Sequence, residues 1–342
     1  MKSTSRFEMI QQILTELKQP AYRLQQIADA IFKQKIGEYD RMTILPKAIR
    51  SELIKNLGER VLSLTPVAQK TSRQVNKVLF SIEDGERIEA VQLRYERGWK
   101  SYCISSQCGC GYGCRFCATG TIGLKRNLTA DEITDQLLYF HLKGQALDSV
   151  SFMGMGEALA NPNIFNALTI LTDPRTFGLG HRRITVSTIG ILPGIDRLTK
   201  EFPQVNLTFS LHSPFDEQRS ELMPINNRFP LQDVLNKLDQ HIRDTGRKVY
   251  IAYILLRGEN DSNEHAEAIA ALLKHRGPWE HLYHVNLIPY NSTVVTPESY
   301  HQSDSDRVQK FVSILNSKGI KVTVRTQFGT DIDAACGQLY GS

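Results

Sequence analysis

The sequence of 342 residues predicts an α/β fold: a parallel sheet curled into a full or partial barrel, preceded by a small helical domain. Three observations predict it: apolar residues at helical spacing near the N-terminus, β-rich runs alternating with helical ones from about residue 100, and a length suited to one large domain with an appendage. In residues 1–60 the periodic set is Phe7, Ile10, Ile13, Leu14 and Leu17, then Leu24, Ile27 and Ile31, then Ile49, Leu53 and Leu57, which reads as three helices. Residues 61–97 read as a connection through Thr71 and then a hairpin, Lys77 to Leu93, turning at Glu83-Asp84-Gly85. In 98–342 the extended runs are Tyr102 to Ser105, Ser149 to Met153, Ile184 to Thr188, Leu207 to Leu211, Val249 to Leu256, Tyr283 to Ile288 and Val322 to Arg325. Helical stretches separate them, among them Ala130 to Leu142, Leu231 to Arg243, Glu264 to Lys274 and Ser303 to Asn316. Six or seven βαβ units of this kind would place an active site at the C-terminal ends of the strands.

A chain that is 41% hydrophobic and 23% charged is neither disordered nor fibrous. Its longest apolar run, Val249 to Leu256, falls far short of the ~20 residues that cross a bilayer. The polar start, Met1 to Arg6, lacks an apolar signal core, so a cytoplasmic location is expected. Residues 1–60 carry eleven Lys and Arg against seven Asp and Glu, and 61–100 seven against five, so the basic excess lies at the front. Such an attachment suits a polyanion such as RNA, although a surplus this small also fits an ordinary solvated surface.

Five of the six cysteines fall between residues 103 and 117. Cys110, Cys114 and Cys117 have the spacing C-x3-C-x2-C, which can hold three irons of a 4Fe-4S cluster and leave the fourth open. Gly109, Gly111 and Gly113 would let the loop wrap an inorganic core. Zinc remains an alternative, since Cys103 or Cys108 could complete four ligands.

The loop, with Phe116 before its last cysteine, resembles that of the radical S-adenosylmethionine (SAM) superfamily. The resemblance implies a partial (β/α)6-type barrel and a cluster whose open iron binds the amino and carboxylate groups of SAM. It also implies cofactor contacts at successive strand ends. Gly156 and Glu157 in Met153-Gly154-Met155-Gly156-Glu157 match a motif that meets the cofactor's ammonium; Ser187, then Ser210, Leu211 and His212, then Asn291 follow at later strands. Taken singly, each would be an ordinary turn or cap.

Cys103 and Cys336, with their flanking residues and Gly156-Glu157-Ala158-Leu159, extend the resemblance to nearly the whole chain. They are similar to the RlmN/Cfr family of RNA methyltransferases, which methylate an adenosine of 23S ribosomal RNA. Cys108, Ala158 and Gln327-Phe328-Gly329 resemble its carbon 8, antibiotic-resistance branch more than its carbon 2 branch. The resemblance implies two SAM molecules per turnover. Cys336 takes a methyl group from the first; a 5′-deoxyadenosyl radical from the second removes hydrogen from that S-methyl group, and the carbon radical adds to the ring. Cys103 then releases the RNA and a Cys103–Cys336 disulfide remains to be reduced, with Glu89 as proton acceptor. Without the resemblance, Glu89 reads as a solvent-facing strand carboxylate. The target base would have to be extruded from its helix, with residues 1–60 gripping phosphates. The implied partners are 23S rRNA and a flavodoxin- or ferredoxin-type reductant, and the expected state is a monomer. Other classes are a zinc-holding RNA-binding module and a radical enzyme acting on a small molecule, which would leave Cys336 without work.

Overall fold

The computed structural model describes residues 5–340; Met1 to Thr4 of the polar start lie outside the described residues. Helix α1 (Arg6–Glu16) opens with a capping box, in which the Ser5 hydroxyl accepts from the Glu8 amide and the Glu8 carboxylate accepts from the Ser5 amide. It packs with α2 (Tyr22–Phe32) and α3 (Lys47–Leu57). Ile10, Leu14, Ile27, Ile31, Ile49 and Leu53 are the buried stripes, so the periodic residues do form a core of their own.

Twelve strands follow: β1 (Thr65–Thr71), β2 (Val75–Ser81), β3 (Arg87–Arg94), β4 (Lys100–Cys103), β5 (Gln107–Cys110), β6 (Gly123–Asn127), β7 (Ser149–Phe152), β8 (Ile184–Thr188), β9 (Asn206–Ser210), β10 (Val249–Leu255), β11 (Tyr283–Pro289) and β12 (Lys321–Val324). All but β5 and β6 form one sheet in the order β1-β2-β3-β4-β7-β8-β9-β10-β11-β12. From β4 to β12 every pairing is parallel, with helices between, and β12 is an edge strand, so the barrel is open. The interior strands are nearly all apolar, as β10 with Val249, Ile251, Tyr253 and Leu255 shows, because both faces are covered.

Residues 65–71, read as connection, are a strand. Every residue of β1 is exposed, so no apolar alternation betrays it. Together β1, β2 and β3 form an antiparallel meander that continues the barrel sheet through β3 and β4. Three further helices, α6 (Ile164–Thr172), α7 (Leu192–Glu201) and α8 (Asp216–Leu222), lie in stretches left unassigned by periodicity, after α4 (Ala118–Ile122) and α5 (Ala130–Leu142). The expected later helices are α9 (Leu231–Thr245), α10 (Asn263–Leu273) and α11 (Ser305–Ser317). No helix among the described residues is long and apolar enough to cross a membrane.

Bundle and barrel meet on α5. Leu138 joins the bundle's core, and Asp135 below it accepts from the Arg6 guanidinium at 2.5 Å and from the Ser63 amide and hydroxyl at 2.7 and 2.8 Å. Both charged side chains of this pair are buried. Removing one partner of a buried pair strands the other charge away from water. Arg6→Ala is therefore expected to lower unfolding stability by about 3 kcal/mol, read as a shift of the denaturant midpoint, and to speed hydrogen exchange in α1; an unchanged midpoint would contradict a structural role for the pair.

Candidate active site

The three-cysteine loop is carried by a small hairpin. Cys110 ends β5, which pairs antiparallel with β6, and Cys117 caps the start of α4. Gly109 has φ +69°, and a Cβ there would sit 1.9 Å from the Gly123 carbonyl oxygen, so only glycine lets the two strands approach. The amide of Cys117 donates to the Cys114 carbonyl at 3.1 Å and that of Gly120 to the Cys117 carbonyl at 3.0 Å, which folds the loop back on itself. Phe116 points inward and meets the His212 ring edge-on at 4.8 Å.

The thiols sit in a low-dielectric site. Burial pushes Cys110 up to about 12, and raises Cys114 and Cys117; each is raised further by charge on a neighbouring cysteine. Arg219 is the cation that acts against this at Cys114. It is fully buried and its guanidinium donates to the carbonyls of Ile189, Ser210 and Leu211 and to the Asn226 side chain. Arg219 thus ties the ends of β8 and β9 together beneath the loop. Sequence reasoning missed it, because an arginine in a short amphipathic helix carries no motif.

The predicted strand-end residues are distributed around this loop. Glu157 is buried; its carboxylate accepts from the Leu159 amide at 3.2 Å and the Ile189 amide at 3.0 Å. It is close enough to Cys110 and Cys114 to raise both thiols. Gly156 has φ +94°, and a Cβ would meet the Gln107 side chain at 2.5 Å. Ser187 is half-buried near the end of β8, and Ser210 and Leu211 present their carbonyls to Arg219. His212 holds a left-handed backbone, φ +58°. Its Nδ1 accepts from the Ile254 amide at 3.0 Å, which leaves the proton on Nε2, and burial lowers it to about 3, so the ring is a neutral donor.

Cys336 reaches the same place from the far end of the chain. The carbonyl of Gly337 accepts from the Ala118 amide at 2.9 Å, and that of Leu339 from the Thr119 hydroxyl at 2.6 Å. The Cys336 carbonyl accepts from the Asn291 side chain at 3.2 Å. Charge on Cys336 raises both Cys103 and Cys117, so the tail thiol stands beside the three-cysteine loop and beside the other lone cysteine. Cys103, Cys336 and Asn291 line one cavity of about 250 Å³ inside the barrel, with Val91, Met153 and Phe328. Cys336 is exposed and Cys103 half-buried, with burial pushing the latter up to about 12. Both are free thiols; the disulfide expected between them is not formed in this structure.

Glu89 is not the solvent-facing carboxylate its residue type suggests. It is 1% exposed, 2.9 Å from the Lys77 ammonium, and accepts from the Tyr340 amide at 3.0 Å. Lys77 also donates to the Asp333 carbonyl at 3.0 Å, so the pair clasps both ends of the tail segment. Glu89 does not line the thiol cavity; its strand neighbour Val91 does.

A radical SAM superfamily model matches residues 104–273. The ribosomal RNA large subunit methyltransferase Cfr of Lachnoclostridium phytofermentans is 59% identical over 98% of each chain. The Cfr of Staphylococcus warneri is 57% identical, covering 99% of this chain and 97% of its own. The chain belongs to this Cfr family of radical SAM methyltransferases. A crystal structure of a radical SAM methyltransferase from Sphaerobacter thermophilus superposes with a TM-score of 0.92 at 38% identity, over 99% of this chain and all of that one.

Radical SAM methyltransferases use a 4Fe-4S cluster and SAM, and this loop fits the cluster. Among the described residues no three His, Cys, Asp or Glu side chains converge on one point as a single zinc ion would require. Three thiols, Cys114 buried and Cys110 and Cys117 half-buried, within charge range of each other suit a core several atoms across. Glu157 and the neutral Nε2 donor of His212 would offer one acceptor and one donor to the amino-acid end of SAM.

Burial lifts Glu157 from 4.5 to about 7 in the ligand-free protein. A carboxyl whose folded value lies above its unfolded one contributes stability that is whole below the unfolded value and lost as pH rises through the folded one. Stability is therefore expected to fall between pH about 5 and 8, and Glu157→Gln to recover about 1 kcal/mol or more at the upper end. Denaturant midpoints measured across that range check this; parallel curves for the two proteins would refute it.

Proposed function

We propose that this chain transfers a methyl group to carbon 8 of an adenosine in the peptidyl transferase region of 23S ribosomal RNA, with Cys336 as methyl carrier, and so confers resistance to ribosome-targeting antibiotics. The reading rests above all on one observation: Cys336 and Cys103 share a cavity while Cys336 is also within charge range of Cys117. The large-subunit rRNA named for the Cfr relatives supports the substrate.

Cys110, Cys114 and Cys117 would hold the cluster, and Gly156, Glu157, Ser187, Ser210, Leu211, His212 and Asn291 the SAM. When bound, these supply methyl groups and a 5′-deoxyadenosyl radical. Cys336, exposed and anchored through its carbonyl to Asn291, is the thiol free to be alkylated. Cys103, held back as a thiol by burial, is kept from competing for the methyl group and becomes the nucleophile when the Cys336 sulfur is joined to RNA. Its thiolate's attack forms the Cys103–Cys336 bond and breaks the bond from the Cys336 sulfur to the ring-borne methylene, which leaves with the electron pair and takes up a proton to become the methyl group; the disulfide then needs two electrons and two protons before another cycle. Glu89 would accept the proton leaving the ring carbon, which requires the tail amide of Tyr340 to give up its carboxylate. Residues 1–60 would grip RNA phosphates, with a flavodoxin- or ferredoxin-type donor as reductant. The protein would act as a cytoplasmic monomer.

Mass spectrometry of adenosines from 23S rRNA of cells expressing the chain tests the reading. 8-Methyladenosine is expected, absent with Cys336→Ala; 2-methyladenosine alone, or product undiminished by that change, would overturn it. Cys103→Ala is expected to accumulate a protein–RNA adduct, seen as a band sensitive to ribonuclease. Replacing the exposed Lys35, Arg41 and Lys47 by Glu should weaken RNA binding about tenfold or more at low salt and flatten its salt dependence. Filter binding at several salt concentrations measures it, and an unchanged slope would remove the bundle from the RNA interface.

A further inference from the structure

A second cavity opens off the one that holds the thiols. It measures about 600 Å³, within the range of ligand pockets, and is lined by Gln74, Arg97, Trp99, Tyr95, Thr326 and Phe328 among others. Tyr95, Thr326 and Phe328 line both cavities, so the two adjoin at these side chains. The Cys110–Cys117 loop follows the C-terminal end of β4, whereas Trp99 lies in the turn before β4 begins, at the opposite end of the barrel. The two cavities therefore succeed one another from the thiols toward a rim far from the three-cysteine loop.

That rim is built rigidly. The Tyr95 amide donates to the Trp99 carbonyl and the Gly98 amide to the Tyr95 carbonyl, both at 2.9 Å, and Gly98 has φ +83°. The Trp99 indole N–H donates to the Ser149 hydroxyl at 3.0 Å and the Arg183 guanidinium lies 5.6 Å from the ring centre. Despite these ties Trp99 is 42% exposed and Tyr95 39%, with Tyr95 set edge-on to Phe328 at 5.4 Å. With Arg183 over one side of its ring, Trp99 is held in place and still leaves aromatic surface open to solvent. Arg97 and Arg183 are exposed beside it, against the one exposed carboxylate of Glu96 in the turn. Fixed aromatic faces beside guanidinium groups match unpaired nucleotides, whose bases stack and whose phosphates pair.

Resting on the reading of the site as an RNA methyltransferase, we propose that this groove seats the nucleotide next to the target adenosine. Its base stacks on Trp99 and its phosphate pairs with Arg97, so that the target base alone passes the Tyr95–Phe328 pair to reach the two thiols. Specificity for an unpaired segment is then set at this rim as well as at the thiols.

The chain has two tryptophans, so Trp279→Phe leaves Trp99 as the single indole. In the reconstituted holoprotein carrying that change, a single-stranded RNA octamer spanning the target adenosine is expected to quench the indole emission to saturation, and its fully paired duplex to quench far less. Trp99→Ala is expected to raise KM for an rRNA fragment about tenfold to a hundredfold with kcat within about threefold, and Trp99→Phe to restore most of the loss. Absent quenching, or an unchanged KM in Trp99→Ala with the parent's iron content, overturns the groove while leaving the methyltransferase reading intact. Saturable quenching by single-stranded RNA in a parent that fails to methylate it supports the groove and removes that reading instead.

Discussion

The constraint on which the site depends is the docking of the C-terminal segment against the cysteine loop. Cys336 lies more than two hundred residues from Cys117, and nothing local could bring them together. What does so is a short set of main-chain bonds: the carbonyls of Gly337 and Leu339 to the start of α4, the Cys336 carbonyl to Asn291, and the Tyr340 amide to Glu89. Most of these use backbone atoms, so they place the segment without consuming the thiol. The Lys77–Glu89 pair anchors the segment through Asp333 and Tyr340, inside the sheet extension. A charge pair in so dry a place is costly unless each member also holds other partners, and both do.

Burial then sorts the thiols into classes. Cys110, Cys114, Cys117 and Cys103 are all raised by desolvation, whereas Cys336 stands exposed. Of the two cysteines facing the cavity, Cys336 is open to solvent and Cys103 half-buried, the division of labour that the proposed methyl transfer asks of them. The same dry surroundings hold His212 neutral and lift Glu157 toward the neutral range. A low dielectric around the cluster loop strengthens every contact made there with charge.

The barrel separates two tasks by its two ends. Loops after the C-terminal ends of the strands carry the cysteines, Glu157 and His212, as parallel α/β sheets do. The interior and the opposite rim are free of these loops, and β3 of the sheet extension walls the thiol cavity through Val91 and Leu93, with Tyr95 just beyond it. The added strands thus shape the cavity as well as bearing Glu89.

Local pattern alone determined a good deal. The bundle stripes, α5, β8 and the parallel alternation are written in spacing that repeats every few residues, and the C-x3-C-x2-C loop with its glycines is a compact motif. Family resemblance, rather than composition, picked out Cys103, Cys336 and Glu89. Only the tertiary structure decided that Glu89 is buried against Lys77, that β1 joins the sheet although wholly exposed, and that Arg219 braces the strand ends. The physical reason is that periodicity reports which face of an element is dry, whereas the partner of a buried charge, or the neighbour of a distant thiol, is set by contacts between residues far apart in the chain.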